Sequence, residues 1–89
     1  MQRYQDCPLI LRDFLSYHET IKGQSQQTIA EYYLDLRMFL RFMNLVKNEF
    51  PIDSDLSSIS IKDIDIRFIQ NITLSDIYDF LSYLAHDRE

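Results

Sequence analysis

Between Ser25 and Met43 apolar and polar residues follow one another with a helical period for longer than anywhere else in the chain. At about 100° of turn per residue, Ile29, Tyr32, Tyr33, Leu36, Phe39, Leu40, Met43 and Val46 share one face, which predicts an amphipathic helix with that face in the core. Ser25 follows Gly23 where an N-cap belongs, and its hydroxyl suits a backbone N–H of the first turn near Thr28. No Gly or Pro interrupts the pattern before Pro51, so the helix is expected to reach Lys47 or Asn48. Leu34, Met38 and Leu45 form a second, narrower apolar line with Arg37 and Arg41 beside it. A helix apolar on two sides has neighbours on both. This one is expected at the centre of the fold.

The flanking segments read as shorter helices. Residues 1–6 are polar and expected to fray. A first helix is expected to begin near Asp6–Pro8, with Pro in its first turn and Asp6 at its positive end. Ile10, Phe14, Tyr17 and Ile21 form its expected stripe, widened by Leu11 and Leu15, and Gly23 its C-terminal stop. After the long helix, residues 48–58 carry Pro51 and a Ser/Asp cluster and read as a loop. Residues 59–69 alternate like a strand, yet a lone strand without a partner is unstable, so a helical turn ending at Asn71 is preferred. Thr73 and Asp76 have capping-box spacing, opening a last helix whose expected buried stripe is Ile77, Phe80, Leu81 and Leu84. The whole is a single all-α domain, 1–89, with no repeat or linker.

Composition changes this picture little, and charge changes it more. A single Cys, Cys7, allows no disulfide within the chain and fits a reducing, cytoplasmic setting. No secretory signal pattern and no apolar run of about 20 residues is present. The net charge of −5 is uneven: residues 1–46 balance five basic against five acidic residues, whereas residues 47–89 hold four against nine. Any contact with phosphate therefore belongs to the first half.

Candidate chemistry is sparse. There is no phosphate-cradling glycine loop, no Cys/His zinc spacing and no calcium loop, so no cofactor or metal is expected. His18 and His86 read as ordinary helix residues. None of the six tyrosines has the cluster of cations that a nucleophile needs. The chain alone is not expected to be an enzyme.

The run Ser25-x-x-Thr28-Ile29-x-x-Tyr32-x-x-Asp35-Leu36-Arg37-x-Phe39-Leu40 resembles the N-terminal core-binding (SAM-like) domain of tyrosine recombinases, the phage-integrase and Xer-type site-specific recombinases. Phe14-Leu15-x-Tyr17 before it and Ile72-Thr73-x-x-Asp76-Ile77-x-x-Phe80-Leu81-x-x-Leu84 after it agree. The resemblance implies a small orthogonal helical bundle forming half of a clamp around double-stranded DNA. A separate catalytic domain, matched by nothing here, would carry the tyrosine nucleophile. It also implies a further basic helix, so the chain reads as a domain truncated before its last helix.

Carried over residue by residue, the resemblance makes Ser25 and Thr28 phosphate-facing helix-start residues. Lys22, Gln24, Gln26 and Gln27 are placed around them, with solvated surface as the plain alternative. Arg37 and Arg41 either reach DNA or pair with acidic neighbours, and Asp35 is an ion-pair or hydrogen-bond partner. The expected partners are duplex DNA and other recombinase subunits, with self-association through Leu34, Met38 and Leu45. A helical protein-interaction module without DNA binding is the rival reading.

Overall fold

The structure, a computed structural model, describes residues 6–51 and 54–87. Residues 1–5 of the stretch 1–6 expected to fray, and residues 52 and 53 of the expected loop, lie outside the described residues, whereas Asp6 is bonded to α2 rather than frayed. Four α-helices follow in order: α1 (Leu9–Thr20), α2 (Gln26–Lys47), α3 (Ile66–Gln70) and α4 (Leu74–Asp87), with a 3₁₀ turn at Leu56–Ser58 between α2 and α3. The described residues contain no strand, and the all-α class read from the sequence is correct.

The central helix starts and stops for identifiable reasons. Ser25, extended at φ −67° and ψ 157°, accepts the Thr28 N–H through its hydroxyl at 3.2 Å. At the other end Asn48 is the C-cap, and Glu49 adopts the left-handed conformation at φ 58°. The Phe50 N–H then reaches back to the Leu45 carbonyl (2.9 Å) and the Glu49 N–H to that of Val46 (3.2 Å), the paired closing bonds of a Schellman motif. Glutamate takes a position that glycine normally fills, which is why the stop is not visible as a glycine in the sequence.

The core joins Leu11 and Leu15 of α1 to Ile29, Tyr33 and Leu40 of α2 and to Ile61 and Ile64 of the following segment. This corrects the stripe expected for α1. Leu11 and Leu15, not Ile10, Phe14, Tyr17 and Ile21, make the buried line, and Phe14, Tyr17 and Ile21 are exposed. The two lines lie about a quarter turn apart at about 100° per residue. Both are apolar, so periodicity alone could not choose between them. The start of α1 also differs: Pro8 is the extended N-cap residue, and Asp6 turns away from the helix end toward α2.

The second apolar line of α2 is split by its surroundings. Leu45 is buried, at 2% exposure, because the C-terminal half of α2 is flanked by the 3₁₀ turn and α4. Leu34, one helix half away, stays 50% exposed. The strand-like alternation of residues 59–69 holds only at its start, where Ile59 and Ile61 are buried around the exposed Ser60; a turn at Lys62 and Asp63 then brings Ile64 inward, and Ile66 is exposed. No partner strand is needed, because the segment is tied to α2 instead, with Asn44 Nδ2 donating to the Ser60 carbonyl at 2.7 Å. Asp65 then caps α3 through the Phe68 N–H, and the helix ends at Asn71 as the sequence suggested.

The capping box of α4 forms in both directions: Asp76 accepts the Thr73 N–H at 2.9 Å and Thr73 Oγ1 accepts the Asp76 N–H at 3.2 Å. Phe80 packs edge-on to Phe39 (ring centroids 5.1 Å) and against Phe42 (5.5 Å), and Tyr83 packs on Phe42 (4.9 Å). Lys47 bonds the Asp76 carboxylate at 2.8 Å and the Asn71 carbonyl at 3.0 Å. The stripe expected for this helix needs correction too. Phe80 and Leu84 are half-buried, whereas Ile77 and Leu81 are exposed, together with Leu74 and Tyr78. α4 rests on α2 by one edge, which leaves its other apolar side uncovered by the described residues.

Candidate nucleic-acid interface

The connection between α1 and α2 is five residues around a single glycine, and its geometry is closely tied. Gly23 takes φ 69°, a conformation only glycine adopts freely, and nothing lies within 4 Å of where a Cβ would project. The Ile21 and Lys22 N–H groups both return to the Tyr17 carbonyl, at 2.8 and 3.2 Å, and the Gln24 N–H returns to the His18 carbonyl at 3.0 Å. Lys22, Ser25, Gln26 and Gln27 are exposed around this corner, and Thr28 is half-buried. Ser25 Oγ also donates to Thr28 Oγ1 at 3.0 Å, so both hydroxyls expected at the helix start serve the cap. The N–H groups of Gln26 and Gln27 belong to the open first turn, where the helix dipole favours an anion.

Gln24 stands apart from its neighbours. Its side chain is half-buried, with Oε1 at 2.8 Å from His18 Nδ1 and Nε2 donating to Tyr32 Oη at 3.0 Å. Sequence reading placed Gln24 among the surface contacts and set His18 aside. The bond links residues six apart across a turn, and no periodicity announces it.

The two arginines divide. Arg37 lies over the Tyr33 ring, 5.1 Å from its centroid. Gln26 and Arg37, separated by eleven positions, project within about 20° of each other and about 16 Å apart along the helix axis. Gln26 and Arg37 therefore share one side of α2 over a length comparable to the about 12 Å width of a DNA major groove.

Arg41 is used inside the fold, the second of the alternatives read from the sequence. Its guanidinium donates to Asp6 at 3.0 Å, and its side chain is only 15% exposed. The Tyr33 hydroxyl donates to the other Asp6 oxygen at 2.8 Å. Burial alone would raise the Asp6 carboxyl, but the Tyr33 and Arg41 bonds and the Arg41 charge outweigh it and hold Asp6 below its ordinary range. Burial and the Asp6 bond push the Tyr33 hydroxyl up.

Leu34, Asp35, Arg37, Met38, Arg41 and Leu56 line a groove of about 400 Å³ on this side of α2. Asp35 is exposed on its wall. A larger groove of about 650 Å³ lies at the C-terminal end of α2, bounded by Asn44, Lys47, Asn48, Ser60 and Asn71 among others. Its donors are engaged: Lys47 with Asp76 and the Asn71 carbonyl, Asn44 with the Ser60 carbonyl, and Asn48 with the Asn44 carbonyl. Among the described residues no group of His, Cys, Asp and Glu is placed to hold a metal ion, and no helix is long and apolar enough to cross a membrane.

The chain is 37% identical, over 81 residues, to the tyrosine recombinase XerC of Caldanaerobacter subterraneus subsp. tengcongensis. The match takes in 91% of this chain and 23% of that protein, so the chain spans less than a quarter of the length of its curated relative. No protein-family model and no solved structure matches it. With that identity held across nearly the whole helical domain, the chain is a domain related to the tyrosine recombinases.

Proposed function

We propose that the chain is the core-binding domain of a site-specific tyrosine recombinase, holding duplex DNA for strand exchange performed by a catalytic domain outside these residues. The observation that carries this reading is the identity to a Xer-type recombinase along 91% of the chain. The geometry supports it. Gln26 and Arg37 lie along one side of α2, with Lys22 and the open first turn next to its start, in the half of the chain that carries no net acidic charge. Phosphate contacts dominate such an interface and give affinity rather than sequence choice. Arg41, committed to Asp6, supports the fold of that surface instead of touching DNA. An electrophoretic mobility shift with duplex DNA at low salt tests the reading, and a chain that stays unshifted at high micromolar concentration refutes it.

A protein-binding role is the second reading, favoured by one observation. Leu74, Ile77, Tyr78 and Leu81 recur at helical spacing on α4 and are all exposed, an arrangement suited to a helical partner. This apolar surface predicts association with a protein chain and indifference to DNA. Sedimentation velocity with and without duplex separates the two readings.

A further inference from the structure

We infer that His18 and Tyr32 are positioning residues of the DNA interface and act through Gln24, which is itself a tether rather than a contact; the inference rests on the DNA-binding reading above. Gln24 is bound at three points. Its N–H meets the His18 carbonyl at 3.0 Å, its Oε1 meets His18 Nδ1 at 2.8 Å, and its Nε2 donates to Tyr32 Oη at 3.0 Å. An amide oxygen only accepts, so Nδ1 carries the proton and the imidazole tautomer is fixed.

The imidazole in turn sits among rings. Phe14 is 4.4 Å away centroid to centroid, Tyr17 5.3 Å and Tyr32 5.7 Å, the last two edge-on. Phe14 also reaches Tyr32 at 6.3 Å. The groups facing His18 are thus Phe14 and Tyr17 from α1, Tyr32 from α2 and the Gln24 amide from the connection, with Glu19 and Lys22 the charged residues nearest it in sequence.

This arrangement has a directional consequence. Gly23 supplies a flexible corner, and on its own would let the first turn of α2 swing relative to α1. The residue after Gly23 is bolted to the third-last residue of α1 on one side and to the second turn of α2 on the other. The bolt fixes where Ser25, Gln26 and Gln27 point. Half-buried and bonded inside the fold at both amide atoms, Gln24 is held away from a base edge.

The test uses the 89-residue chain, two duplexes of unrelated sequence, and ¹⁵N NMR of the His18 ring. Gln24→Ala removes the tether. Tyr32→Phe removes one anchor atom and keeps the ring packing. Gln24→Glu keeps an acceptor for each partner, because the Tyr32 hydroxyl can donate to the second carboxylate oxygen.

The expected result is a single Nδ1–H tautomer in the parent and in Gln24→Glu, and a mixture in Gln24→Ala. Affinity in Gln24→Ala and Tyr32→Phe falls by the same factor on both duplexes, about fivefold for each anchoring bond lost. A loss confined to one duplex in Gln24→Ala makes Gln24 a base reader and overturns the inference. So does unchanged affinity in Tyr32→Phe, or an unchanged tautomer in Gln24→Ala. Failure of the parent chain to bind either duplex overturns the DNA reading and the role built on it, whereas parent binding with unaffected variants overturns only the role.

Discussion

Phe80→Ala is expected to release α4 from the rest of the fold without unfolding α1 and α2. None of the described side chains of α4 is buried, and the helix is held to α2 chiefly by the ring contacts of Phe80 and Tyr83 on Phe39 and Phe42. Truncating a fully buried phenylalanine costs about 3–5 kcal/mol. Phe80 is half-buried, so about half of the burial is lost, and two ring pairs worth about 0.5–1.5 kcal/mol each go with it. The sum is about 2.5–5.5 kcal/mol.

Set against a total of about 4–13 kcal/mol for a chain of 89 residues, that is a large fraction. It falls on an element of 14 residues, and isolated helices of about that length are marginal in water. The Lys47–Asp76 pair is the remaining tie, and it lies at the surface. Native-state hydrogen exchange reads the outcome helix by helix. The Leu74–Asp87 amides should lose most of their protection while Ile29–Met43 keep theirs. Equal loss in all helices would show that α4 is part of one cooperative unit and would refute this account of its attachment.

Other outcomes follow from single residues. Gly23→Ala places a Cβ at φ 69° in open space, so the backbone conformation alone should lower stability by about 1 kcal/mol in chemical denaturation; Glu49→Gly, the reverse change at φ 58°, should raise it by about the same amount. Asp6 has its folded pKa below the unfolded value. Its stabilising contribution is therefore complete above about pH 4 and is lost as pH falls through the folded value, and Asp6→Asn should flatten that acid limb of a denaturation series. Burial pushes the Cys7 thiol up to about 11, so its alkylation at neutral pH should be slow in the native chain and rise sharply in denaturant.

What the sequence revealed and what it hid divide along a physical line. The caps were legible, because Ser25, Asp65, Thr73 and Asp76 act on backbone groups only two or three residues away. The central position of α2 was legible because its apolar residues surround it. Which apolar line faces inward was not. In α1 and α4 two apolar lines compete, and the choice belongs to neighbours far along the chain: α2 takes Leu11 and Leu15 from one and the Phe80 edge from the other. The ion pair of Asp6 with Arg41 spans 35 positions, and the His18–Gln24–Tyr32 chain crosses a turn. Only the folded backbone brings these groups together. For the interface the consequence is specific: the sequence offered Gln24 as a contact and left Arg41 between DNA and an acidic partner, and the fold engages both internally.

The salt dependence of duplex-DNA binding, measured by fluorescence anisotropy for the parent chain and for Lys22→Ala and Arg37→Ala, decides whether this domain holds DNA by its phosphates. Phosphate contact through this surface gives a log–log slope near −0.9 for each phosphate contacted, reduced by about one contact in each variant. Parent-like slopes in both variants, or no binding by the parent at low salt, would contradict it.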